Sequence, residues 1–246
     1  MNIASLVVSS RLVAQERSID VIAMNLANVS TPGFQAMRVQ FSDWLNPQRT
    51  GAVPQGDRKI AYTQDRGTWR DAQPGTQTQT GNPLDLTAPA GGYFTVATQQ
   101  GPRLTRDGRF KPLPNGTIGD TAGHALMDIN GQPIQLGTTD TQLAVTGDGS
   151  ISSQNGVLGK IGIVTVADPT KLQSEGATLL RADTPTSQAA QPSVIQGVVE
   201  DSNVNPVLEL TRMMSEERDY QFTTQLLQAE NDRINSTIDK TLTAGS

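Results

Sequence analysis

The chain has 246 residues, enough for one large domain or two small ones with a real core. Its net charge of −5, with Lys and Arg scattered rather than in runs, argues against a phosphate-tracking surface. The sequence therefore predicts no nucleic-acid partner and no adhesion to an anionic membrane, and the lack of cysteine excludes disulfides, thiolate nucleophiles and Cys-type zinc sites together.

The first segment, from Met1 to about Val29, contains neither proline nor glycine. Val8, Leu12, Ile19, Ile22, Leu26 and Val29 fall on one stripe of a helix. Thr31, Pro32 and Gly33 stop it, since proline cannot continue the hydrogen-bond ladder and glycine leaves helical space readily. The apolar run Ile3 to Val8 is too short for a signal-peptide core, and no stretch reaches the length of a membrane span. A soluble chain without a Sec-type signal and without direct membrane insertion is expected. Glu16 and Asp20, one turn apart, read as a solvated face.

Residues from about Asn46 to Thr80 are polar and rich in Gln, Thr, Gly and Pro, and predict an extended connector with a strand near Ile60 to Thr63. Beyond it, five turn dipeptides follow: Asp107-Gly108, Asn115-Gly116, Asn130-Gly131, Asp148-Gly149 and Asn155-Gly156. Each can supply the positive φ angles of a tight hairpin. Short β-like runs flank them at Tyr93 to Thr98, Arg103 to Arg106, Leu126 to Ile129, Gln142 to Val145 and Ile161 to Val166. Asp183 to Ser193 reads as a surface loop.

A second helix opens at Asn205, a good N-cap, with Pro206 at the first helical position. Met213, Tyr220, Leu227 and Ile234 recur every seven residues, a coiled-coil-like seam whose second set of positions is diluted by Glu217, Thr224 and Asn231. Glu216, Glu217 and Arg218 read as surface charges. The expected fold class is thus α+β: long N- and C-terminal helices pairing as a coiled-coil-like layer, a central all-β domain of short hairpins, and an extended connector. The expected boundaries are 1–35, 36–79, 80–200 and 201–246. An isolated helix pair buries too little apolar surface to be more than marginal, so the two stripes are expected to find cover on other subunits.

Reaction chemistry finds no foothold. His124 stands alone and reads as part of a turn before a strand. Asp128-Ile129-Asn130-Gly131 and Asp148-Gly149 lack the remaining oxygen ligands of a calcium loop and read as hairpins. No phosphate loop, nucleophile elbow or dinucleotide fingerprint is present, and no cofactor, metal or catalytic residue is expected. A glycan hydrolase with two carboxylates at glycosidase spacing stays open as a competing class, without a local motif to support it. A third class is a binding module, with the β domain recognising a ring protein.

Three segments carry a resemblance. Asn25-Leu26-Ala27-Asn28-Val29-Ser30-Thr31-Pro32-Gly33-Phe34 closely resembles the end of the N-terminal helix in the flagellar rod and hook family. Glu200-Asp201-Ser202-Asn203-Val204-Asn205-Pro206-Val207 resembles that family's entry into its C-terminal helix. Thr80-Gly81-Asn82-Pro83-Leu84-Asp85-Leu86, with Gly92-Tyr93-Phe94 and Leu104-Thr105-Arg106-Asp107-Gly108-Arg109-Phe110, resembles its central hairpin region. The short central domain and Arg218-Asp219-Tyr220-Gln221-Phe222 look more like the proximal-rod branch than the distal one.

The resemblance implies a structural subunit of the basal-body rod, exported by the flagellar type III apparatus. Its terminal helices would form the inner tube of a helical assembly that crosses the periplasm and transmits torque, with the β domain outside. The implied partners are copies of the chain, other rod proteins, and the distal rod and ring proteins. The implied assembly residues are Leu12, Ile19, Ile22, Leu26, Asn28, Thr31, Pro32, Gly33, Phe34, Asn203, Asn205, Pro206, Met213, Tyr220, Leu227 and Ile234.

Overall fold

The computed structural model describes residues 3–47 and 59–243. The chain divides into two compact units. One holds the residues up to Leu26, Met37–Thr68 and those from Pro206 on; the other holds Ala27–Ala36 and Trp69–Asn205.

The first unit is built on helix α1 (Ile3–Ala27) and helix α2 (Pro206–Thr243). Both lie where sequence places them, because the first has no breaker before the Thr-Pro-Gly stop and the second starts on its proline. The buried line on α1 runs through Ala14, Gln15, Val21, Ile22 and Asn25, with Ser18 half-buried. Of the predicted stripe, Ile22 is buried and Val8, Leu12, Ile19, Leu26 and Val29 are half-buried. The stripe's centre is rotated toward small and polar residues, because two of those, Ser18 and Asn25, bond to α2.

On α2, Met213, Leu227 and Ile234 are half-buried and Tyr220 is more exposed. The second set of positions is not the expected one. Glu217 and Asn231 are exposed and Thr224 half-buried, whereas Glu209 and Thr223 are buried and Glu216 and Glu230 half-buried. The acidic residues turn inward because polar partners wait there: Ser18 donates to Glu216 at 3.1 Å and Asn25 to Glu209 at 3.2 Å. Glu216 is therefore not a plain surface charge. The two contacts sit seven residues apart on each helix and in opposite chain order, so the helices run antiparallel.

The expected connector is partly strand. Strand β1 (Met37–Pro47) and strand β2 (Lys59–Arg70) pair as a two-stranded sheet, and the predicted strand near Ile60 to Thr63 lies within β2. The stretch 48–58 of the connector lies outside the described residues.

The second unit is all-β. Its main sheet is centred on β5, reached through the short strands β3 (Gln77–Gln79) and β4 (Leu86–Thr87). Strand β5 (Gly92–Thr98) pairs antiparallel with β6 (Gly101–Thr105) on one side, and with Ile163–Val166 and Ala125–Leu126 in succession on the other. Beneath lies a core of Leu86, Phe94, Val96, Phe110, Ile118, Leu126, Ile151 and Ile161, in which Phe94 and Phe110 meet edge to face at 5.2 Å. A smaller cluster of Tyr93, Leu104, Leu172 and Leu180 covers the other face. The alternation Phe94, Val96 against Tyr93 is the period-two signature of a sheet with both faces covered.

Four of the five turn glycines have positive φ as expected: Gly116, Gly131, Gly149 and Gly156. Gly108 does not. A Cβ there would sit 1.6 Å from the Leu86 carbonyl oxygen, so this glycine permits two backbones to touch rather than a chain to reverse. The expected loop Asp183 to Ser193 contains a strand, Thr186–Gln188, paired with Ile163–Val166. Among the described residues no helix is long and apolar enough to cross a membrane, and no cluster of His, Asp and Glu could hold a metal.

Candidate assembly site

Within the β unit, the three resemblance-bearing segments converge. The turn after α1 is tightened by bonds from the Thr31 N–H and Oγ1 to the Asn28 carbonyl and side chain, at 3.1 and 3.2 Å. Gly33 follows at φ 66°, and its N–H reaches the Glu200 carbonyl at 2.7 Å. A Cβ on Gly33 would lie 2.3 Å from the backbone of Arg106. The glycine of the first segment is thus wedged between residues of the other two.

Arg106 and Glu200 form a buried ion pair behind this wedge. The Arg106 Nε donates to both carboxylate oxygens at 3.2 and 3.1 Å, and Nη2 donates to Oε2. Nη1 donates to the Gly92 and Pro89 carbonyls at 2.6 and 3.3 Å, and the guanidinium lies 5.6 Å from the Tyr93 ring centre. Glu200 also accepts from the Gly75 N–H at 3.2 Å. Each guanidinium nitrogen and each carboxylate oxygen of this pair has a hydrogen-bond partner, the condition under which a buried pair is tolerated.

Asn203 completes the anchor. Its Oδ1 accepts from the Ala36 N–H at 2.7 Å, and its Nδ2 donates to the Asp71 and Gln73 carbonyls at 3.0 and 2.8 Å. Phe34 is buried beneath the Arg70 guanidinium, 5.1 Å from its centre. Burial lowers the Arg70 pKa to about 10, with the Tyr93 phenol pulling it back up.

The helical unit carries its own polar clamp. Asn25 is fully buried; its Oδ1 accepts from the Met37 N–H at 2.7 Å and its Nδ2 donates to the Met37 carbonyl at 2.9 Å. The side chain so mimics a strand partner for the start of β1. Glu209, also buried, accepts from Asn25, from Arg38 at 2.8 Å and from Arg212 at 2.7 Å. Burial pushes its carboxyl up, but the bonds from Arg38 and Asn25 and the charges of Arg38 and Arg212 outweigh it and hold the group below its ordinary value. Outside the face that carries Glu209, α2 exposes Leu210, Met214, Leu226 and Phe222, the last at 69%; on α1, Val13 is 65% exposed.

Of the expected assembly residues, Pro32, Gly33, Phe34 and Asn203 come together in the β unit, with Asn28 and Thr31 in the turn before them. Leu12, Ile19, Ile22 and Leu26 lie on α1, and Met213, Leu227 and Ile234 on the half-buried face of α2, with Tyr220 at its rim. Asn205 and Pro206 are exposed where α2 begins. Residue-type reasoning missed Asn25, Arg106, Glu200, Arg70 and Glu209 as site members. The first three stood inside the quoted segments, so their signal was present; Arg70 and Glu209 had none.

Residues 6–35 match the family described as "Flagella basal body rod protein", and residues 195–240 match "Flagellar basal body rod FlgEFG protein C-terminal". The chain is 32% identical over 222 residues to the flagellar basal-body rod protein FlgF of Mesorhizobium japonicum, covering 89% of each chain. It is 30% identical over 236 residues to FlgF of Caulobacter vibrioides, covering 94% of each. It is likewise 30% identical over 241 residues to FlgG of Bacillus subtilis, covering 88% of this chain and 90% of that one. With both termini and the intervening span matched in one order, the chain belongs to the flagellar basal-body rod protein family, whose members are parts of the flagellar basal body.

Proposed function

We propose that this chain is a structural, non-enzymatic subunit of the basal-body rod, of the FlgF proximal type, which assembles helically through its terminal helices. The observation that carries the reading is the distribution of apolar side chains on α2. Met213, Leu227 and Ile234 lie on the inward face while Met214, Phe222 and Leu226 lie outside it. A helix with apolar groups on more than one side is suited to burial among several neighbours. Each such side chain contributes about 1.5–3 kcal/mol on full burial, less the ordering of the groups involved. A heterologous contact of this kind generates a helix rather than a closed ring.

In this reading the seven-residue spacing of the Asn25–Glu209 and Ser18–Glu216 contacts begins a coiled-coil-like layer. The layout 1–35, 36–79, 80–200 and 201–246 separates tube-forming helices, connector and outer β domain. The assembly residues are those of the two helices and the Thr31–Phe34 and Asn203–Pro206 segments. The subunit spans the periplasm with copies of itself and other rod proteins, meets distal rod and ring proteins, carries torque, and leaves the cytoplasm through the type III apparatus.

The test is full-length protein carrying Phe222→Glu and Leu226→Glu. The monomer should keep its circular dichroism and thermal midpoint, while incorporation into basal bodies and swimming are lost. Normal incorporation with both charges in place would sink the proposal. The FlgG-type distal reading is favoured by the match to the Bacillus subtilis protein. Rescue of a strain lacking one rod gene but not the other separates the two.

A further inference from the structure

A cleft of about 350 Å³ opens in the helical unit between α1, β1 and α2. Val21, Ile22 and Met37 give it apolar walls, and Arg38, Arg212 and Glu216 give it charge. Both arginines bond the same oxygen of Glu209 through Nη1, at 2.8 and 2.7 Å, and Ser18 donates to Glu216 at 3.1 Å. A guanidinium carries five N–H groups and a carboxylate about four acceptor sites, so these bonds leave the cleft both donors and an acceptor.

The charges select the guest. Arg38 and Arg212 balance Glu209 and Glu216, and the site as a whole is neutral. An entering carboxylate or ammonium group would be desolvated without a counter-charge, which is costly. A neutral group that accepts and donates meets no such cost. A primary amide does both: its oxygen takes N–H bonds from the arginines, and its NH₂ donates to Glu216. The methylenes of a glutamine then lie along the apolar walls, as the stem of a polar-tipped side chain can.

The chain presents such groups on another surface. Gln221, Gln225 and Gln228 of α2 are all exposed, and their spacings of four and three residues put them on one face. Gln225 lies nine residues beyond Glu216, and Gln221 nine beyond Arg212. At about 100° per residue that is two and a half turns, so amides and cleft face opposite sides of the same helix. A molecule cannot fill its own cleft. The contact must pass from one copy to the next, head to tail and open-ended.

We propose that the α1–β1–α2 cleft of one copy receives Gln225 of the next, bonded by Arg38, Arg212 and Glu216. This contact presupposes assembly through the terminal helices, the reading proposed above.

The chain has no cysteine, so introduced ones report without background. Basal bodies are prepared with full-length protein carrying Ser18→Cys and Gln225→Cys, and oxidised mildly. Each copy holds both halves of the joint, so a ladder of disulfide-linked multimers is expected, and no ladder with either cysteine alone. Where the double variant does not incorporate, the purified full-length protein is oxidised at high concentration, with the same ladder expected. Its absence overturns the proposal. The second readout is charge. Gln225→Glu carries an unbalanced carboxylate into the cleft and should abolish incorporation; adding Glu216→Gln restores neutrality and should restore incorporation. Full incorporation of the single variant, or a loss that the second change does not repair, overturns the proposal as well. Failure of the unaltered chain to enter basal bodies would instead end the assembly reading itself.

Discussion

Replacing Glu200 by leucine removes the counter-charge of Arg106 while leaving its guanidinium buried. Both side chains are almost fully enclosed, and the guanidinium faces the Tyr93 ring and two carbonyls that cannot neutralise it. Breaking such a pair costs about 3–5 kcal/mol. The Gly75 N–H loses its acceptor in the same step, at about 1 kcal/mol. The Gly33 bond survives because it goes to the Glu200 backbone. A loss near 4 kcal/mol is a large share of a total of about 5–15 kcal/mol. With a urea slope of about 2 kcal/mol per molar, the midpoint should fall by roughly 2 M. Urea titration of the full chain, followed by far-ultraviolet circular dichroism with the slope checked for constancy, reads this directly. The partner variant Arg106→Met combined with Glu200→Leu should recover most of the loss, because removing both charges also removes their desolvation cost. A single-variant loss below about 1 kcal/mol, or a double variant whose loss equals the sum of the singles, would refute the claim that the two charges act as a unit.

Gly33→Ala should cost about 2–5 kcal/mol, from the left-handed φ and from a Cβ forced onto the Arg106 backbone; urea titration with hydrogen exchange of residues 28–36 measures it, and a change under about 0.5 kcal/mol contradicts the wedge. Burial raises the Asp107 pKa to about 6, helped by Asp120 and Asp85 and opposed by the Arg109 N–H and charge. The folded state then holds a proton more firmly than the unfolded one, so this group's contribution is best below about pH 4, falls as pH rises to 6, and stays low above it. Asp107→Asn should therefore stabilise the protein by up to about 3 kcal/mol at pH 7.5 and not at pH 3.5, with thermal midpoints at the two pH values as the check. Asn25→Ala strips the Met37 N–H and carbonyl and one Glu209 oxygen of partners, and should cost about 2–4 kcal/mol while speeding amide exchange along α1; unchanged exchange in α1 would dismiss the clamp.

Local chemistry settled much of this molecule before any folding partner was considered. A breaker-free run ending in Thr31-Pro32-Gly33 makes α1, Pro206 starts α2, and the Asn-Gly and Asp-Gly dipeptides at 115, 130, 148 and 155 turn the hairpins, because helix ends and tight turns are governed by a few adjacent residues. The segments at 25–34, 104–110 and 200–207 were visible as motifs, yet nothing in their order along the chain says that they touch. That was decided by the β unit, which brings Gly33, Arg106 and Glu200 into contact across 167 positions, from 33 to 200. The same holds for Gly108, which looks like a turn and serves a backbone crossing, and for Glu209, a carboxylate that no motif singles out and that becomes a buried anchor once Asn25, Arg38 and Arg212 surround it. A charge reads as surface in sequence because its desolvation cost is local; its compensation is supplied from distant parts of the chain, and only the tertiary structure gathers them.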